Sequence, residues 1–162
     1  MKETFAIPAV GAIIVKRTGD EEYILVQDRK KNNGDGTDGL LEIPAGKIRE
    51  YENIFEALRR EVWEETGLHL TTVQGEDASH LLDVAGNRTI TFSPYCITQN
   101  LSGAYSIILS TFLCEAEGEL LEQTNETENI RWMKREILKE IVHDSPEKIF
   151  LMHLQALRKY IE

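Results

Sequence analysis

Apolar and β-branched residues gather in short runs over the first third of the chain and predict strands at Thr4 to Val15, Glu22 to Gln27 and Leu40 to Ile43. Pro8 and Gly11 interrupt the first of these runs. Between the second and third lies Lys30 to Gly39, rich in Lys, Asn, Gly and Asp, which predicts a loop. From Asn53 to Thr66 the period lengthens to that of a helix. Ile54, Phe55, Leu58 and Val62 share one side, Asn53 and Glu56 have capping-box spacing, and Gly67 is the stop. Apolar segments return at Thr89 to Thr98 and Ala104 to Glu115, within which Ser106 to Cys114 reads as a fully buried strand. An acidic loop follows from Glu117 to Asn129, then a short helix near Lys134 to Val142. Ser145 as a cap and Pro146 in the first turn open a last helix, along which Phe150, Leu154, Leu157 and Ile161 recur at helical spacing. Several strands, one acidic central helix and a late helix predict an α+β or α/β fold with a mixed sheet between helices. With 162 residues and no repeat or linker, residues 1–162 are expected to form one domain.

Charge changes this picture more than composition does. Hydrophobic residues make up 41% and charged residues 28%, as in an ordinary globular chain, but Lys plus Arg number 18 against 28 Asp plus Glu, a formal net charge of -10. So acidic a surface repels the phosphates of duplex nucleic acid and anionic lipid headgroups, and neither is an expected partner. An anionic substrate would need a local reversal of sign, which a divalent cation held by carboxylates supplies. No apolar run approaches the roughly 20 residues that span a bilayer. The N-terminal run lacks the form of a secretion signal, so a cytoplasmic location is expected. Cys96 and Cys114 form no CxxC pair and are read as reduced thiols of the core.

Two segments could carry chemistry. Gly34 to Gly39 matches GxGxxG, yet the residues after it read as a strand rather than the helix a dinucleotide turn must open, and Asp35 and Asp38 would repel phosphate. It is therefore expected to be a surface loop. The second segment, Gly46 to Leu68, carries Arg60, Glu61, Glu64 and Glu65 within two helical turns. Glu61 and Glu65 stand one above the other, and Glu64 lies further round, so three carboxylates are expected within a few ångströms. Acids at i and i+4 weaken a helix by a few tenths of a kcal/mol. A hard cation such as Mg²⁺ or Mn²⁺ would relieve them.

Gly46 to Leu68 resembles the Nudix box, Gx5Ex7REUxEExGU with U aliphatic, with Gly46, Glu52, Arg60, Glu61, Val62, Glu64, Glu65, Gly67 and Leu68 in register. At average residue frequencies of roughly 5 to 7%, a chance match is on the order of one in 10⁸. The resemblance implies an α/β/α sandwich and hydrolysis of a nucleoside diphosphate linked to another group. It implies Glu61 and Glu65 as the main metal ligands, with Glu64 as a further ligand or base and a carbonyl of Ala45 or Gly46 completing the set. Arg60 and Glu52 would hold the glutamates in position. A general base in this family often comes from a distant loop. Glu126, six residues before Trp132, is ranked ahead of Glu122 and Glu128 for that part.

Substrate class rests on less. Glu42-Ile-Pro-Ala-Gly46 resembles the ADP-ribose and nucleotide-sugar branch, although the proline that branch tends to carry some fifteen residues past the box is missing. A house-cleaning nucleoside triphosphate pyrophosphatase is the enzymatic alternative, and a catalytically silent nucleotide-sensing module is a third reading, disfavoured because every box glutamate is present. Trp63 and Trp132 are ranked as packing residues ahead of base stacking. Monomer and homodimer both stay open.

Overall fold

The computed structural model describes residues 1–162. Its elements are β1 (Ile7–Thr18), β2 (Glu21–Arg29), β3 (Leu41–Glu42), β4 (Ala45–Lys47), α1 (Ile54–Thr66), β5 (His69–Val73), β6 (His80–Val84), β7 (Asn87–Thr91), β8 (Cys96–Gln99), β9 (Ile107–Glu117), β10 (Thr127–Lys134), α2 (Arg135–Asp144) and α3 (Leu151–Ile161). The central sheet runs β10-β2-β1-β9-β5, with β3 added to β2, β4 to β1 and β8 to β9. The β1–β9 pair is parallel and its neighbours are antiparallel, which makes the sheet mixed, as expected.

Helices cover both faces, so the inner strands are apolar on both sides. Val10, Ala12 and Ile14 of β1 join Leu25 and Phe112 against Ile54, Phe55, Leu58 and Val62 of α1. Ile13 and Val15 point the other way and meet Leu138 and Val142 of α2 and Leu154, Leu157 and Ile161 of α3. The period-2 alternation of a strand thus feeds two cores. No helix is long and apolar enough to cross a membrane.

Several boundaries differ from expectation for local reasons. Pro8 does not break β1; its carbonyl accepts the Ile48 amide at 3.1 Å, and its missing N–H leaves the parallel register with Ile108 intact. Gly11 sits where β4 crosses closely, since a Cβ there would lie 3.3 Å from that of Ala45. The Leu40 to Ile43 run contributes only two paired residues. Asn53 does cap α1, but its Oδ1 accepts from the Phe55 amide at 2.9 Å rather than from Glu56. The predicted buried strand at Ser106 to Cys114 starts at Ile107 and leaves Ile108 exposed. Thr89 to Thr98 splits into β7 and β8, and β6 pairs β7 in a hairpin that the pattern missed because its turn carries Ala85 at φ 54 before Gly86 rather than Asn-Gly.

The last helix also starts later. Pro146–Lys148 forms only a 3₁₀ turn, Ile149 and Phe150 run extended alongside Leu41, and α3 begins at Leu151. The Phe150 amide donates to the Leu41 carbonyl at 2.8 Å, and the buried His153 accepts the Ile43 amide on Nδ1 at 3.1 Å. Burial drives the His153 pKa down to about 3, so the imidazole is neutral and able to accept. These bonds fix the segment that leads into β4.

Candidate functional site

β4, the loop to α1, and α1 itself bring the box residues together. α1 is anchored by its apolar face and ended by Gly67, whose φ of 79° is left-handed and whose missing Cβ would stand 2.9 Å from the Glu119 carbonyl. The opposite face presents Arg60, Glu61 and Glu64 towards the loop. Gly46 lies directly under Glu61: a Cβ there would come within 2.0 Å of Glu61 Cδ and 2.2 Å of its Oε2. The glycine is required by close approach rather than by its backbone angle. Gly46→Ala must displace the flexible end of Glu61 and little else. The expected outcome is a normally folded protein with kcat lowered on the order of tenfold to 10², read by thermal melting beside steady-state kinetics. An alanine variant with unchanged kcat would remove Glu61's position from the chemistry.

Arg60 is the hub of the polar network. Its Nε and Nη2 grip Glu52 Oε2 and Oε1 at 2.7 and 2.8 Å, its Nη2 also donates to the Lys47 carbonyl at 3.1 Å, and its Nη1 donates to Glu61 Oε1 at 2.6 Å and Glu64 Oε2 at 3.4 Å. The paired guanidinium bonds, with the Arg49 amide adding a third donor, hold the Glu52 carboxyl down at about 2. Glu61 is pushed up by its partial burial, an effect opposed by Arg60 and reinforced by the charges of Glu64 and Glu126.

Glu65 turns inward instead. Only 5% exposed, it accepts from Gln27 Nε2 at 2.7 Å and from the Ala45 amide at 3.2 Å on Oε2. Burial, then the nearby charge of Glu42, push its carboxyl up to about 8. Glu42 is itself buried and raised, with Arg29 Nη1 at 2.7 Å and Gln27 Nε2 at 3.3 Å opposing the shift. The Oε1 of fully buried Gln27 has no hydrogen-bond partner.

The expected gathering of three carboxylates is therefore only half met. One helix delivers Glu61, Glu64 and Glu65, but no three acidic, imidazole or thiol groups converge on one point. Glu61 leans on Arg60, Glu64 remains 49% exposed, and Glu65 is drawn into the sheet by Gln27. Mutual repulsion and separate partners spread them. Ala45 and Gly46 stand beside Glu65 and Glu61 respectively, as the box spacing requires.

Glu126 lies just before β10, its amide on Thr124 Oγ1 at 3.2 Å and its carbonyl accepting the Lys30 amide at 2.8 Å. Its carboxylate pairs with Lys31 Nζ, while Glu128, inside β10, is 3.9 Å from Lys30. Thr127 between them is buried and donates to the Glu65 carbonyl at 3.4 Å, tying this loop to the end of α1. Glu122 is exposed in the same loop. Trp132 packs against the core around α1, whereas Trp63 is half-exposed and stacks on His69. Gly34 to Gly39 is an irregular surface loop, as expected. Cys114 is buried and Cys96 half-buried, and both thiols are free.

Gln27, Glu42, Arg29 and Lys31 were not anticipated in the site. Gln27 has a visible signature, a lone amide ending the apolar run Ile24 to Val26, as has Glu42 between Leu41 and Ile43. Only the pairing of β2 with β3 shows that they meet.

A mixed sheet between helices, with a glycine loop closing on an acidic helix, places the chain among α/β/α sandwich proteins. The NUDIX domain model matches residues 6–154, and the chain belongs to the Nudix family, whose members act as pyrophosphatases on nucleoside diphosphate derivatives and generally use divalent metal ions. Among solved structures, the MutT NUDIX hydrolase of Burkholderia pseudomallei is similar at 21% identity and TM-score 0.62, covering 98% of this chain and 97% of that one. The NUDIX domain of Shewanella oneidensis NrtR, complexed with ADP ribose, is similar at 13% identity and TM-score 0.66, covering 98% and 88%. An Ap4A hydrolase of C. elegans is similar at 16% identity and TM-score 0.54, covering 96% and 95%. Comparison with curated protein sequences returns no match.

Proposed function

We propose that this Nudix hydrolase is a Mg²⁺-dependent pyrophosphohydrolase, with Mn²⁺ as a substitute, that cleaves a nucleoside diphosphate conjugate of the ADP-ribose or nucleotide-sugar kind. The observation that carries the substrate class is the Pro44-Ala45-Gly46 sequence, which resembles that of the ADP-ribose and nucleotide-sugar branch. The likeness to an ADP-ribose-bound domain supports it. Free cysteines agree with a cytoplasmic location.

The donor set suits a hard divalent cation. Glu65 is a buried carboxylate with only amide donors against it, an environment that an adjacent cation would make favourable for the ionised form. Glu61 and Glu65 would hold the ion, with the backbone of Ala45 or Gly46 and with Glu64 as a further ligand. When bound, the cation neutralises phosphate charge and lowers the pKa of water. Arg60 and Glu52 keep the Glu61 carboxylate in place over Gly46. Glu126 accepts a proton from the attacking water as its oxygen bonds to phosphorus, and the phosphorus–bridging oxygen bond breaks. ADP-ribose would then give AMP and ribose 5-phosphate.

A panel of ADP-ribose, nucleotide sugars and nucleoside triphosphates with Mg²⁺, products identified, tests the reading. Diphosphate conjugates are expected to have the higher kcat/KM. Triphosphates cleaved more efficiently to monophosphate and pyrophosphate would transfer the assignment to a house-cleaning enzyme.

A further inference from the structure

The site holds several cations in different settings: Lys47 and Arg49 of the box loop are exposed, Lys47 near the Tyr105 ring and Arg49 3.8 Å from Glu64. Arg60 is bound by Glu52, Glu61 and the Lys47 carbonyl, and Arg29 is bound by Glu42 while its guanidinium lies 3.8 Å above the Phe150 ring. Lys31 differs. Its backbone is pinned at the start of the Lys31 to Gly39 loop, because its amide donates to Asp38 Oδ1 at 2.8 Å and the Asn32 amide donates to the same carboxylate at 3.2 Å. Its side chain, 24% exposed, has Glu126, which is 59% exposed, as its only ion-pair partner. Thr127, next to Glu126, donates to the Glu65 carbonyl, and Arg29, two residues before Lys31 in the chain, grips Glu42, so the pair is joined through its neighbours to both buried acids.

An ammonium has three donors in free rotation. One pair to a mobile, exposed carboxylate leaves the others available, and an exposed pair of this kind contributes little by itself. Here the neighbouring backbones are also joined, through the Lys30 amide and the Glu126 carbonyl at 2.8 Å, which keeps the two side chains adjacent.

We propose that Lys31 is a substrate-binding residue for the diphosphate: it donates to a phosphate oxygen of the incoming nucleotide conjugate while keeping a hydrogen bond to Glu126, and so brings that carboxylate to the substrate. A diphosphate entering a chain of net charge -10 is helped by a protein cation beside any bound ion, and Lys31 is the cation paired with the Glu126 loop. The inference rests on the proposed pyrophosphohydrolase reading and adds to it the residue that couples phosphate binding to the loop.

The test is steady-state kinetics of Lys31→Met, Lys31→Arg and the control Lys30→Met on whichever substrate of the panel the wild type prefers. Lys30→Met removes the same charge one residue away, from a pair with Glu128. Lys31→Met is expected to raise KM by about 10- to 100-fold, the loss of a charge-assisted hydrogen bond, and to lower kcat as well. Lys31→Arg should recover most of the KM, and Lys30→Met should match the wild type. In a Glu126→Gln background the kcat part of the Lys31→Met effect should disappear while the KM part persists. The Mg²⁺ concentration giving half-maximal rate should be unchanged, since Lys31 holds no metal. Inhibition by AMP offers a second measure of phosphate binding, and should weaken with Lys31→Met in parallel with KM. A KM within twofold of wild type, an arginine variant as impaired as the methionine one, or equal losses from Lys30→Met would overturn the proposal. Those outcomes are separate from a wrong substrate class, which appears in the wild-type panel alone.

Discussion

Glu65→Gln and Glu61→Gln are each expected to lower kcat on the order of 10² or more while leaving a folded protein, because each removes a charge proposed to hold the cation and leaves the apolar face of α1 untouched. Glu65 also predicts a pH signature. In the absence of divalent ions its carboxyl titrates near 8 in the native state against about 4.5 as the ordinary value. The native protein therefore binds more protons than the unfolded chain between those pH values, and stability falls as pH rises across that window and levels above it. Glu65→Gln should flatten that fall and hold or raise stability near pH 8. Glu42, raised in the same direction, leaves a remainder of the slope. Divalent-ion affinity should rise through the same window, since the ligand must be ionised. Denaturation in chelator from pH 5 to 9, with metal titrations alongside, reads both. Full activity in excess chelator, or a metal-free Glu65→Gln protein that does not fold, would defeat the catalytic reading of α1.

The second large effect is expected at Glu126. Carboxylates engaged with a cation are poor proton acceptors, and Glu126 lies outside the box on a loop hinged at buried Thr127. Glu126→Gln keeps the shape and removes the basicity, so kcat should fall by about 10² to 10⁴ with little change in metal affinity in the absence of substrate. Glu128→Gln is the control. Glu128 sits within β10 with Lys30 as its partner, so its loss should cost far less. If Glu128→Gln is the crippled variant the base is Glu128, and if neither is, it lies at Glu64 or Glu122.

Both expectations depend on how far local pattern extends into tertiary contact. The Asn53 to Thr66 helix was legible because its apolar stripe, its cap and Gly67 are all local signals that agree. The late helix starts after its sequence signals, because a serine and a proline that open a 3₁₀ turn look the same in sequence as those that open an α-helix. The short β3 shows the opposite limit. Its Leu41 and Glu42 are held by β2 on one side and by the Ile149 segment on the other, contacts more than a hundred residues apart in the latter case, which no window of sequence contains.

At the site the division is the same. The chain itself determined that Arg60, Glu61, Glu64 and Glu65 fall within two turns of one helix, because the helix period fixes their spacing, while Gly46 and Glu52 joined them through the resemblance to the Nudix box. Tertiary structure decided what each carboxylate does. Packing of β2 beside β3 sends Glu65 inward to Gln27 and raises its pKa, the bidentate grip of Arg60 holds Glu52 ionised, and the crossing of β4 under α1 makes Gly46 a matter of space beneath Glu61. Proton affinity and close approach depend on burial and on partners distant in sequence, whereas the period of a helix depends only on its own residues.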